Sequence, residues 1–405
     1  MLAGVEHEFF VLHGGSRVDF VREMGRLDLG RRFLDPADAH ARRTPSGAAV
    51  TADGTEAEIA LPPIDVKPGF AARAAAWMEA ERVALIARLG DGYDLEGSSS
   101  HIGISVPAPL RFIEAVARVW TGTFAPAFML LLDRSDSYGI YVRPRPGRLE
   151  LCGEHATGAW LSAAMVFAAG SVRAAVGAAA TPQPAGLPPA IRMRLERCTD
   201  RYGYLVHRRS MGGDLYATGR ATELMDVTDT PLTAQRHLEV TWAAARAALA
   251  PFVEPGDLSG MDDVVAARTP LPRLANDDAG SPLDARSAEP NPFGRVARPM
   301  ARPGYDMAAV MITWDAVVLV AAEPSRSRPM FISVPRSALA GFLERLDAGA
   351  LDHVVLSYLR SRPRGRALEQ RSQLRDAALF DTIGPRRSLL ARERNNRGAV
   401  TRIAA

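Results

Sequence analysis

The 405-residue chain contains only two cysteines, Cys152 and Cys198, so no disulfide framework underlies its fold. Lysine is scarcer still. Lys67 is the sole lysine among 49 basic residues, and the rest are arginine, the usage a GC-rich genome produces. A pyridoxal Schiff base would require that one residue. Its surroundings, Asp65-Val66-Lys67-Pro68-Gly69, are neither a Walker loop nor a kinase strand. Any nucleotide phosphate must therefore be held by arginine and metal. Net charge is small as well, at +3, and does not direct the chain to nucleic acid. The arginine-rich tail after Arg360 lacks the interleaved aromatics of a nucleic-acid surface. No basic-then-apolar leader precedes the first strand-like residues, so a cytoplasmic location is expected. The longest apolar stretch, Ala156 to Ala180, is dominated by alanine and interrupted by Arg173. Its length permits a membrane span, but its composition predicts a buried helix, and no membrane partner is expected.

What is present begins at the N-terminus. With 47% hydrophobic and 23% charged residues the composition is that of an ordinary soluble protein. The opening stretch Gly4-Val5-Glu6-His7-Glu8-Phe9-Phe10-Val11 alternates as a strand does. Glu6 and Glu8 then share one face, where like charges repel by up to about 1 kcal/mol. A divalent cation would offset that repulsion; two solvated glutamates on an edge strand are the plain alternative. The pattern recurs after the turn signal Asp53-Gly54, where Glu56 and Glu58 alternate before Pro62-Pro63 ends the strand. Ser98 to Pro107 puts His101, Gly103 and Ser105 on one face. Tyr138 to Cys152 reads as strand, proline-stiffened turn, strand, with Arg148, Glu150 and Cys152 sharing a face.

Between these strands the sequence predicts helices over Phe70–Leu89, Leu110–Thr121, Phe124–Leu132 and the alanine-rich Thr157–Ala178. Further helices are predicted over Thr233–Leu249, Ser337–Leu346 and Leu351–Leu359, and strands over Ala308–Ala322 and Pro329–Val334. Glu254 to Gly304 reads as a long loop or insert. The resulting division is a core over 1–180, an extension over 190–252, the insert over 253–304 and a C-terminal α/β region with a basic tail over 305–405.

Taken together, Glu6, Glu8, Glu56, Glu58, His101 and Glu150 are a hard-oxygen ligand set with one imidazole. Such a set suits Mg²⁺ or Mn²⁺ better than structural zinc. Arginines 143, 145 and 148 lie beside it in sequence, and planar guanidinium suits phosphate. Carboxylates, cations and arginine on one sheet describe a phosphoryl-transfer site.

In order and spacing, these motifs resemble the carboxylate–amine ligases, in particular the glutamate–cysteine ligase branch of the glutamine-synthetase-like superfamily. The resemblance covers roughly residues 1–180. It implies an α+β fold in which a curved antiparallel sheet forms a catalytic funnel with helices on its outer face. It implies ATP with Mg²⁺ (or Mn²⁺) as cofactors and an amide product made through an acyl phosphate. The ligands of the cations would be Glu6, Glu8, Glu56, Glu58, His101 and Glu150. Arg148, with Arg143 next, would touch ATP phosphate, and Arg148 and Glu58 would serve catalysis. Glu154 or His155 would accept the amine proton. Two positions depart from the family's pattern. Its Arg-x-Glu-x-Arg ends here in Cys152, and its His-x-His ends in Gly103. The expected substrates are therefore a small-molecule carboxylate and amine, amino acid or peptide, other than glutamate with cysteine. A homo-oligomer is in keeping with the superfamily. The alternatives are a phosphotransferase on the same fold and a non-catalytic binding protein.

Overall fold

The computed structural model describes residues 1–27, 31–32, 41–132, 139–181, 186–197, 203–271, 296, 300–312, 314, 316–323, 329–360 and 381–383. They form two compact units, each assembled from separate parts of the chain. Antiparallel strands and helices make up both, so the chain is α+β.

The first unit comprises Met1–Val18 and Pro63–Ala288. Its sheet is open and antiparallel throughout. The strands run in the order Glu196–Arg197, Tyr204–His207, Gly139–Arg145, Arg148–Glu154, Tyr93–Ser105, Leu2–His13. Ser16–Val18 and Ile64–Asp65 also pair with the opening strand. Alternation decides what each face carries. Val5, His7, Phe9 and Val11 are buried, as are Ile102 and Ile104, Leu149 and Leu151, and Ile140 and Val142. Helices Phe70–Leu89, Leu110–Leu131 and Gly158–Ala179 cover this face. The opposite face carries the residues of even number in the opening strand.

Helix Gly158–Ala179 is long and apolar enough to cross a bilayer, but it is the core helix of this unit, packed on four other helices. Gly170 is one reason it fits. A Cβ there would lie 2.4 Å from the carbonyl oxygen of Ala245 on helix Ala234–Leu249. The two helices predicted over 110–132 are one, Leu110–Leu131, with Pro126 inside it. A proline cannot donate to the carbonyl four residues earlier. That carbonyl, on Gly122, instead accepts from the backbone N–H of Ile191 at 2.9 Å. The helix therefore continues.

A second difference lies in the stretch read as a loop. Residues Pro255–Val265 form a helix. Proline occupies its first turn, and the Asp257 carboxylate accepts from the Glu254 backbone N–H at 3.0 Å, one half of a capping box. The other oxygen of Asp257 accepts from Gly69 N–H at 2.8 Å, where helix Phe70–Leu89 begins. Most of the remaining insert, and Cys198, lie outside the described residues.

The second unit comprises Asp19–Pro62 and Glu289–Ala405. The predicted hairpin is present as Ala49–Asp53 and Glu56–Ala60, turning at Gly54 with φ +61°. The stretch predicted as one strand over 308–322 is two, Tyr305–Ile312 and Ala316–Ala322, paired antiparallel. Met330–Pro335 extends the same sheet, and helices Leu339–Asp347 and Asp352–Arg360 follow. Apart from residues 381–383, the tail after Arg360 lies outside the described residues.

Candidate functional site

The face of the first unit's sheet that the helices leave uncovered is a grid, because residues directly opposite on paired strands point the same way. One row across it is Glu6, His101, Cys152 and Tyr141. The row on one side is Glu8, Ser99 and Glu154. The row on the other side is Gly4, Gly103, Glu150 and Arg143, followed by Ser105, Arg148 and Arg145. Of the expected site residues, Glu6, Glu8, His101, Glu150, Arg143 and Arg148 thus share one surface.

Its acidic part is built around His101. The ring sits between two carboxylates, with Nδ1 3.5 Å from Glu6 and Nε2 3.8 Å from Glu8. Ser99 ties the group together: its hydroxyl donates to Glu8 at 2.6 Å and lies 3.2 Å from the ring Nε2. Burial disfavours a charged imidazole here. The Glu6 hydrogen bond and the charges of Glu8, Glu6 and Glu150 outweigh it, and the His101 pKa is raised. Protonation of the ring would place positive charge between the two carboxylates. A divalent cation would supply the same charge to the same hard oxygens, so the donor set fits Mg²⁺ or Mn²⁺.

The basic part is built around Glu150. Arg148 donates to one carboxylate oxygen at 3.1 Å; Arg145 at 3.1 Å and Arg143 at 3.5 Å donate to the other. Burial alone would raise the Glu150 pKa, but Arg148, Arg145, His101 and Arg143 hold it down at about 2. Both oxygens of Glu150 accept from guanidinium groups, so in this structure it organises the three arginines. Three arginines against one carboxylate leave positive charge for an anion. Gly4 and Gly103, directly opposite on the neighbouring strands, leave the sheet floor beside Glu150 bare of side chains.

The departures from the family pattern acquire a structural meaning here. Cys152 does not replace the motif's last arginine, but Arg145 reaches Glu150 from the adjacent strand. The Cys152 thiol is buried, and its pKa is pushed well up by burial first, with Glu150 and Glu6 adding to it against Arg143 and Arg145. It stays a neutral thiol that fills space. Of the two candidate proton acceptors, only Glu154 lies on this face, opposite Ser99. His155 packs edge-on against His7 at 4.4 Å and Phe9 at 5.1 Å, both of which point to the core side, so it is removed from the site. A bulge explains the packing. The register shifts between Glu8 and Phe9, which brings Gly97 under the His155 ring, where a Cβ would lie 2.1 Å away.

Glu56 and Glu58 belong to the second unit, half-buried on one face of their strand while Ala57 and Ile59 are buried on the other. Asp53, directly opposite Glu56, joins them: carboxylate oxygens of Asp53 and Glu58 lie within 4.8 Å of each other. Sequence reasoning used Asp53 only as a turn residue. Its parity relative to Glu56 across a two-residue turn was the signal that it shares their face. Ser99 was readable only through the register, which also sets Arg145, already named beside Arg143 and Arg148, against Glu150.

No protein-family model and no curated protein matches the sequence. Among solved structures, the chain is similar to the complex between prokaryotic ubiquitin-like protein Pup and its ligase PafA. The TM-score is 0.37 at 12% identity, covering 65% of this chain and 62% of that one. It is also similar to the Pup ligase PafA in complex with ADP, with a TM-score of 0.33 at 10% identity, covering 56% and 59%. The chain therefore spans under two thirds of either. Both likenesses are distant, and the functional reading rests on the side chains described above.

Proposed function

We propose that the protein is an ATP- and Mg²⁺-dependent carboxylate–amine ligase that forms an amide through an acyl phosphate. The observation that carries this reading is the abutment, on one sheet face, of a Glu6–His101–Glu8 group and a Glu150-centred arginine cluster. In this reading Glu6, Glu8 and His101 hold the cations. Bound cations would supply the charge that neutralises the triphosphate and the substrate carboxylate as they approach.

Arg143, Arg145 and Arg148 bind and orient the γ-phosphoryl group and the carboxylate it is transferred to. The carboxylate oxygen bonds to phosphorus as ADP leaves. The amine nitrogen then attacks the acyl carbon, phosphate departs, and Glu154 takes the amine proton. The neutral Cys152 thiol takes no part, and no covalent enzyme intermediate is needed. Carboxylate and amine are small molecules of the amino-acid or peptide class.

The test incubates the purified protein with ATP, Mg²⁺ and amino-acid or peptide mixtures. ADP release that requires both a carboxylate and an amine is expected, with an adduct lighter than its parts by one water. Glu8→Gln should lower the rate at least about tenfold, as loss of metal-site residues does. Absence of ADP with every mixture would overturn the ligase reading. A stable phosphorylated product would point to phosphotransfer instead.

A further inference from the structure

Beyond the bulge, the same sheet face carries an arginine laid flat on an aromatic ring. Phe10 follows Glu8 by two positions and so points the same way. Arg17, on the strand Ser16–Val18, is directly opposite Leu12, again on this face. Its guanidinium carbon lies 3.4 Å from the centre of the Phe10 ring. Glu96, directly opposite Phe10, holds Arg17 from the side at 3.8 Å. One guanidinium plane is thus stacked on Phe10, and the Arg17 side chain remains 59% exposed.

Stacking already satisfies one face of the guanidinium, and Glu96 pairs with it from the side. What is left open is a flat, cationic surface. Planar heterocycles stack on such a surface, and nucleic-acid bases do so on arginine and aromatic side chains. A salt bridge alone would not need the ring beneath it.

The position along the strand supports the same reading. At about 3.4 Å per residue, Phe10 lies about 7 Å from Glu8 and about 14 Å from Glu6 along the strand. The arginine cluster lies on the far side of Glu6, in the rows of Gly4 and Ser105. Along one direction the face therefore presents a stacking plane, then cation ligands, then an anion site. A nucleoside triphosphate has the same order of parts: base, metal-bound phosphates and the γ-phosphoryl end.

We propose that the outer plane of Arg17, propped by Phe10 and held by Glu96, receives the planar base of the nucleotide. This rests on the ATP-dependent reading above and adds to it the orientation of the nucleotide and the residue that recognises its base. The experiment separates the two. Wild type, Arg17→Ala and Arg17→Lys are titrated calorimetrically with Mn·ATP and with Mn·tripolyphosphate, which lacks base and sugar.

The expected result is that wild type binds ATP more tightly than tripolyphosphate. Arg17→Ala should weaken ATP about tenfold, within the range of base stacking, and leave tripolyphosphate within about twofold. Arg17→Lys should not restore ATP binding, because it keeps the charge and loses the plane. Equal loss of both ligands, rescue by lysine, or an unchanged ATP affinity in Arg17→Ala would overturn the base seat while leaving the phosphate and cation sites standing. Failure of wild type to bind either ligand would overturn both proposals.

Discussion

His101 and Glu150 show opposite ways of supporting charge at a buried position. Glu6 and Glu8 favour the protonated form of His101, and Arg143, Arg145 and Arg148 hold Glu150 ionised. Elsewhere the chain buries histidines without such partners. His237 is fully buried in helix Ala234–Leu249, and burial holds its pKa down at about 4, against a smaller opposing effect of the Thr123 backbone. The unfolded chain therefore takes up that proton first. Stability associated with His237 is complete above the unfolded pKa near 6.5 and declines as pH falls toward 4. The difference amounts to about 3 kcal/mol. Urea unfolding of wild type and His237→Leu between pH 7 and pH 4 should show a shallower decline in the variant; parallel curves would refute the assignment.

At the scale of elements, contacts decide what local sequence leaves ambiguous. Leu110–Leu131 is continuous because Ile191, distant in sequence, serves the carbonyl that Pro126 leaves without a donor. The crossing of Gly158–Ala179 with Ala234–Leu249 depends on a glycine where helix propensity alone would favour alanine. Gly170→Val should force these helices apart and cost about 1–3 kcal/mol as overpacking, read as a lower urea midpoint with unchanged slope. A midpoint equal to that of wild type would mean the helices can shift without cost. The helix Pro255–Val265 is a different case. Its start signal, Glu254-Pro255-Gly256-Asp257, was visible, but the surrounding Pro, Gly and Asp content hid it.

For the molecule as a whole, the proposed ligands come from segments that lie far apart in the chain. Such a site does not exist in the unfolded state, so its occupancy adds to folding stability. Mn·ATP at a hundredfold excess over its dissociation constant should add about 2.7 kcal/mol. This would appear as a rise in melting temperature that EDTA abolishes. A melting curve indifferent to Mn·ATP would remove the support for a cation-dependent nucleotide site.

The sequence by itself determined which residues alternate on each strand, where the turns fall and which helices are apolar, because these depend on periods of two and 3.6 residues and on local turn chemistry. Glu6 with Glu8, Glu56 with Glu58, and the Asp53-Gly54 turn were legible on that basis. Only the tertiary structure decided which strands pair, and in what register. Register set Glu6 opposite His101, turned Glu150 toward three arginines and sent His155 to the core side. A one-residue slip would change every one of these neighbours while leaving the alternation intact. That is why the chemistry of the face could be guessed from residue types, but its partnerships could not.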